Sequence, residues 1–246
     1  MSERVVSLAP SATDILHRIG AGGKLTGTVA TYGGWLTPTI DAIADDDPDL
    51  VITTDPLQRP IVNQLEQADL PVAHFEPRTL DDLFPYITEV SDLVGMATAG
   101  HALVAALFDR LESVDARVSD RSSPIVYCEE WQTPPMVAGN WIPEAIEWAG
   151  GSYPFLDRGE RSRAVTQSTV EAVDPDHIIL HICGSPEPDP QATLASRGWD
   201  LTALHDGRIT VIDDSLLNQP GPQLISGIER IASVLHPTTT SDAPPQ

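Results

Sequence analysis

Short apolar runs alternate with amphipathic stretches along most of this chain. Val5-Val6-Ser7-Leu8 is continuous and rich in β-branched residues, which predicts a buried strand over 4–8. Ile15, Leu16 and Ile19 fall on one face of a predicted helix from Ala12 to Ile19, and Ser11 with Asp14 reads as its capping box. The glycines of Gly20-Ala21-Gly22-Gly23 end that helix. Further strands are predicted at Leu25–Thr31, Leu50–Thr53 and Val72–Phe75, with helices near Pro38–Ala44 and 59–68 between them. Strands alternating with helices at this spacing predict a parallel sheet covered on both faces.

The arrangement is then written a second time. Ile125-Val126-Tyr127-Cys128 predicts a buried strand, followed by a loop 129–140 and a helix 142–149. An Ala-Gly-Gly stop ends the first helix of each half, at Ala21 and at Ala149. An Asp-Pro-Asp start opens a later strand in each, at Asp47 and at Asp174, and both pairs keep nearly the same offset. A loop 150–164, a helix 168–173, a strand 177–182, a helix near 190–197, a strand 209–212 and a helix 224–235 complete the second half.

Between the copies, Leu103, Leu107, Leu111, Val114 and Val118 recur at spacings of three and four, which predicts a helix of about 20 residues. The fold class expected is α/β. Two parallel-sheet lobes, 1–95 and 122–237, are bridged by one long helix, 96–121, with a ligand cleft between the lobes and a disordered tail at 238–246.

Charge narrows the partners. The formal net charge is −22 with a single lysine, Lys24, so nucleic acid is excluded by repulsion from its phosphates. Acids spread along the whole chain read as a solvated surface suited to a high-salt, halophilic setting, where screening relieves the self-repulsion. No apolar stretch approaches a membrane span of roughly 18 residues, so no membrane insertion is expected. The start, Met-Ser-Glu-Arg, lacks the basic and apolar parts of a secretory signal. The expectation is a cytoplasmic location as encoded, or an extracytoplasmic one if an upstream signal has been removed.

In open parallel sheets, ligands sit beyond the carboxyl ends of the strands. The candidate residues are therefore Pro10 and Ser11, Tyr32 and Trp35, and Thr54 in the first half. In the second they are Trp131, Met136, Asn140, Trp141, Cys183, Gly184 and Gln219. Trp35, Trp131 and Trp141 are either anchors of loops on the core or flat platforms for a ring system. Trp148 and Trp199 read as packing. His177 and His181 stand four apart on a strand, roughly 13 Å, too far to share a metal. His181 and Cys183 share one face of a strand end, but two residues do not make a metal site. Glu129 and Glu130 are adjacent on a strand, point to opposite sides and cannot act as a carboxylate pair. There is no Gly-x-Ser-x-Gly elbow, phosphate loop or dinucleotide fingerprint. Binding without catalysis, and no metal or catalytic cofactor, is the expectation.

Arg4-Val5-Val6-Ser7-Leu8-Ala9-Pro10-Ser11-Ala12-Thr13 resembles the opening of the helical-backbone substrate-binding proteins of ABC importers. Asp47-Pro48-Asp49-Leu50-Val51-Ile52 is similar to their second signature. The set Val137 to Glu144, Ala149-Gly150-Gly151, Cys183-Gly184 and Gln219-Pro220-Gly221-Pro222 looks like the cobalamin-binding branch of that family. The resemblance spans about residues 4–237. It implies two α/β lobes on one rigid helix, and Tyr32 and Trp35 at ligand-contacting aromatic positions of the first lobe. Met136 and Gln219 fall at contacts of the second, and Thr54 stands where an aromatic occurs in the family. It also implies docking to an importer permease through one acid per lobe: Asp41 in the first, and in the second Ser168, with Glu171 nearby.

Together these readings predict a monomeric, non-enzymatic binder of cobalamin or a related corrinoid, serving uptake through an ABC importer or intracellular salvage. The alternatives are a siderophore or haem binder, and an enzyme acting on a corrinoid or tetrapyrrole with Cys183, His181 or Glu130 as reactive groups.

Overall fold

A computed structural model describes residues 2–184 and 189–237. The predicted disordered tail lies outside the described residues. The chain divides into two compact units. The first is Met1–Phe108 with Gln219–Pro222, and the second is Asp109–Asn218 with Gln223–Gln246.

The first unit is built on a four-stranded parallel sheet in the order β2-β1-β3-β4. Its strands are β1 (Val5–Ser7), β2 (Leu25–Thr28), β3 (Leu50–Thr54) and β4 (Val72–Phe75). The two inner strands, β1 and β3, are buried at every position, as their continuous apolar runs require. Helices α1 (Pro10–Arg18), α2 (Val29–Tyr32), α3 (Ile40–Asp45), α4 (Arg59–Gln67) and α5 (Leu80–Leu93) connect and cover them. Thr79 and Asp82 form a reciprocal capping box at the start of α5. Gly95, at φ +73°, ends that segment, and α6 (Ala97–Val118) follows. A side chain on Gly100 would collide with Ser91, so glycine there lets α6 pack onto α5.

Two local expectations differ from the structure. Helix α1 starts two residues earlier than predicted, at Pro10, with Ala9 as its cap and no side-chain cap bond. Ser11 and Asp14 serve other partners: the Ser11 hydroxyl meets Tyr86, and Asp14 pairs with Arg18 one turn on. The predicted strand to Thr31 stops at Thr28, because Thr28 and Thr31 cap each other and turn the next four residues into α2.

The second unit holds a five-stranded sheet in the order β7-β6-β5-β8-β9. Strands β5 (Val126–Gln132), β8 (His177–Leu180) and β9 (Ile209–Val211) run parallel. Strands β6 (Pro135–Val137) and β7 (Arg163–Ala164) add antiparallel. The sheet is therefore mixed, and the predicted loop 129–140 is in part a hairpin. Its helices are α7 (Ile142–Trp148), α8 (Gln167–Val173), α9 (Pro190–Ser196), α10 (Thr202–His205), α11 (Asp214–Leu217) and α12 (Gln223–Leu235). Arg110 of α6 is bound by Glu229 at 2.7 Å and by Ser226 of α12.

The duplicated Asp-Pro-Asp segments do the same work in each unit. Asp47 and Asp174 both hold positive φ, +43° and +45°, a conformation Asp tolerates better than most residues. Asp49 then bonds β1 at its entry: its carboxylate accepts from the amides of Glu3 and Arg4, and its own amide donates to the Arg4 carbonyl at 2.8 Å. Asp176 repeats this on β5, accepting from the Ile125 amide at 2.8 Å and donating back to the Ile125 carbonyl.

Candidate ligand-binding faces

At the carboxyl ends of the first unit's strands, one buried amide holds three loops together. Gln58 follows β3 and is fully buried. Its side-chain carbonyl accepts from the Thr54 amide at 2.8 Å. Its NH2 group donates to the Leu8 carbonyl beyond β1 and to the Trp35 carbonyl beyond α2, both at 2.9 Å. Every donor of that amide group is used, so its orientation is fixed. Ahead of it, Asp55 sits at φ +79°, ψ 137°, a region costly for any residue with a Cβ. Its carboxylate accepts from the Leu57 amide at 2.7 Å.

Trp35 and Leu36 occupy the tip of a tight reverse turn. Gly34 and Thr37 exchange both backbone hydrogen bonds across it, and Gly33 bridges Pro38. Gly33 has φ +115°, so the turn depends on a glycine there. Trp35 is half-buried, while Leu36 and Leu57 are 47% and 58% exposed.

Tyr32, Thr54 and Ser11, candidates for ligand contact, turn inward. Tyr32 belongs to the core cluster with Val6, Leu8, Ile43 and Val51. Its ring lies over Gly27, where a side chain would collide, and its hydroxyl donates to Asp46. Burial and the Asp46 carboxylate push that phenol up to about 12. Thr54 and Ser11 are buried as well, and both hydroxyls bond the Tyr86 phenol, at 3.0 and 3.1 Å. Their polar atoms tie α5 to the strand ends. Pro10 remains exposed at the start of α1. Gln219 lies in the segment Gln219–Pro222, which groups with the first unit although the residues on either side of it belong to the second. Gly221 of the same segment packs on Ser11, with room of only 3.3 Å for a Cβ. Asp41 is exposed in the first turn of α3.

In the second unit, Trp131 lies on β5 and is 47% exposed. Its indole N–H donates to the Thr133 carbonyl at 2.9 Å, which fixes the ring on the hairpin. Met136, half-buried on β6, is its cross-strand partner. Asn140 is half-buried at φ +54° and bonds through its backbone to Gly159 and Glu160. Trp141 departs from the platform reading: it is 7% exposed, and its indole N–H donates to the Leu217 carbonyl at 2.7 Å. That bond satisfies the buried N–H and makes Trp141 an anchor of α11. Glu171 is also engaged locally, since its Oε1 accepts from Gln167 and from the Asp200 amide, which holds its carboxyl below the ordinary range.

Cys183 and Gly184 are exposed beyond β8, and the Gly184 amide donates to Asp214 at 2.8 Å. Burial pushes the Cys183 thiol up, so it is a poor thiolate. Burial likewise raises the Glu130 carboxyl, which also bonds Ser162. His181 is fully buried. Its Nδ1–H donates to Asn218, whose amide donates back to the His181 carbonyl at 3.0 Å, while Nε2 has no partner among the described residues. Among the described residues, no group of three or more His, Cys, Asp or Glu could hold a metal ion.

His181 makes stability depend on pH. Desolvation, against the weaker opposing effects of Asn218 and Asp214, lowers its pKa from 6.5 to about 4. The unfolded chain then binds the extra proton between these values, so stability is present above about 6.5 and lost as pH falls. Urea unfolding should show about 2 kcal/mol less stability at pH 5 than at pH 7 from this group. His181→Gln should flatten that difference; an equal slope in both proteins would assign the loss to other groups.

A family described as periplasmic binding protein matches residues 5–216. A "Cobalamin-binding protein" of Halobacterium salinarum is 26% identical, over 96% of this chain and 70% of its own. A "Vitamin B12-binding protein" of Vibrio cholerae is 23% identical, over 95% of this chain and 89% of its own. Among solved structures, a periplasmic heme-binding protein from Pseudomonas aeruginosa superposes with a TM-score of 0.82 at 20% identity. It covers 97% of this chain and 94% of that one. The periplasmic vitamin B12-binding protein of V. cholerae superposes at 0.76 with 21% identity, over 95% and 96%. These likenesses carry the two-lobe α/β fold, and with the family match along most of its length the chain belongs to the periplasmic binding protein family.

Proposed function

We propose that this protein binds a corrinoid, of the cobalamin or cobinamide kind, and releases it chemically unchanged. The observation that carries the reading is the match along nearly the whole chain to proteins named for cobalamin. The strand-end loops support it, because they expose apolar side chains: Pro10, Leu36 and Leu57 in the first unit and Trp131 in the second. Two arginines near those ends are already paired, Arg59 with Glu76 and Arg197 with Glu129. A corrin ring decorated with neutral amides suits such surfaces better than an anionic chelate, whose carboxylates call for unpaired cations.

Haem is the second reading, favoured by the likeness of fold to a heme-binding protein. Delivery to an importer permease is part of the proposal, with exposed Asp41 as the acid of the first unit and Glu171 of the second. It is supported by a Bacillus subtilis relative named as an ABC transporter substrate-binding lipoprotein.

Titration with cobinamide, cyanocobalamin and haemin in molar KCl separates these ligands, read by tryptophan fluorescence and by ligand absorbance. Trp35→Ala should weaken corrinoid binding about tenfold, as loss of one aromatic contact does, with an unchanged far-ultraviolet spectrum. Unchanged affinity would return Trp35 to a purely structural role.

A further inference from the structure

Exposed leucines are ordinary when scattered singly. Leu36 and Leu57 are not scattered: each is the chain neighbour of a residue in the same 2.9 Å hydrogen bond, between Gln58 and the Trp35 carbonyl. Both are held by backbone devices that do not involve their side chains. Leu36 stands at the tip of the Gly34–Thr37 turn, and Leu57 is set by the Asp55 carboxylate on its amide. Asp55 keeps a backbone conformation costing about 1–3 kcal/mol. Strain retained to present an exposed apolar side chain is motivated by contact with something outside the unit's own core.

We propose that Leu36 and Leu57 form, with Trp35, the first unit's ligand platform, and that their occupant is the apolar, methyl-bearing ring edge of a corrinoid. This deepens the corrinoid reading and rests on it. An aliphatic pair thus stands in for the flat aromatic surface that Tyr32 and Thr54, both buried, do not provide. Two leucines on fixed turns give apolar contact with little further loss of motion on binding. They also set selectivity, since a ring edge bearing carboxylates would lose hydration against them without a partner.

The test is Leu36→Ser with Leu57→Ser, titrated with cobinamide beside the wild type and a Leu93→Ser control. Leu93 is 38% exposed at the end of α5. The double variant should bind about tenfold more weakly, with a melting temperature near that of the wild type because both positions are exposed, while Leu93→Ser binds normally. A wild type that binds and a double variant with equal affinity would overturn the platform. Equal weakening by Leu93→Ser would overturn it as well. A wild type that sediments as a dimer, with a monomeric double variant, would assign the leucines to self-association instead. A wild type with no affinity for cobinamide would overturn the corrinoid reading itself, which is a separate outcome.

Discussion

Exchanging Arg197 for methionine should cost about 3–5 kcal/mol of stability, the penalty for leaving a buried charge without its partner. Glu129 is fully buried in the middle of β5. Arg197 meets it with two parallel bonds, 2.7 and 2.8 Å, and donates a third to the Gln132 carbonyl at 2.9 Å. The Tyr127 hydroxyl donates to the same carboxylate at 2.7 Å, and the guanidinium lies 5.0 Å from the Trp199 ring centre. Removing the cation leaves a carboxylate with one donor in a site closed to water. Adding Glu129→Gln should restore much of the loss, because the amide keeps the Tyr127 bond and carries no charge. Urea unfolding of the three proteins in constant high salt checks this. Equal stability of wild type and Arg197→Met would mean that the pair carries no net weight.

Gln58→Leu should have the second largest effect, about 2–4 kcal/mol, because it strands two carbonyls and an amide that Gln58 now satisfies. The substitution nearly preserves volume, so the loss is one of hydrogen bonds rather than packing. It should also loosen the turns carrying Trp35 and Leu57, raising the dissociation constant for a corrinoid at temperatures where the variant remains folded. Gln58→Glu should recover the bond to the Thr54 amide but set its charge against the two carbonyls, and so stay near the leucine variant in stability. Urea midpoints order the three. A Gln58→Leu protein as stable as wild type would show that water replaces the amide.

The repeat was legible because its signature residues each carry a backbone task. Positive φ at Asp47 and Asp174, and the strand-entry bonds of Asp49 and Asp176, admit few other side chains. Apolar runs likewise placed β1, β3, β5 and β8, whose burial leaves little freedom of reading. The strand-end faces were harder to see. An aromatic residue in a loop has the same sequence signature whether it stacks on a ligand or donates its N–H inward, and Trp131 and Trp141 illustrate both exposures. Tyr32 was hidden by the Thr28–Thr31 cap, which turned an apparent strand into α2 and carried its ring into the core. Gln58 looked like any polar loop residue; only the meeting of three sequence-remote backbones makes it a fastener. The grouping of Gln219–Pro222 with the first unit follows from contacts such as Gly221 on Ser11, to which local pattern is blind.

Whether a corrinoid is the ligand is tested by direct titration. Cobinamide added to the protein in molar KCl should quench tryptophan fluorescence and shift the corrin absorbance together, saturating at one equivalent with a dissociation constant of about 1 µM or tighter. Absence of both changes at tens of micromolar ligand, in a protein that is folded by circular dichroism, would mean that the ligand is not a corrinoid.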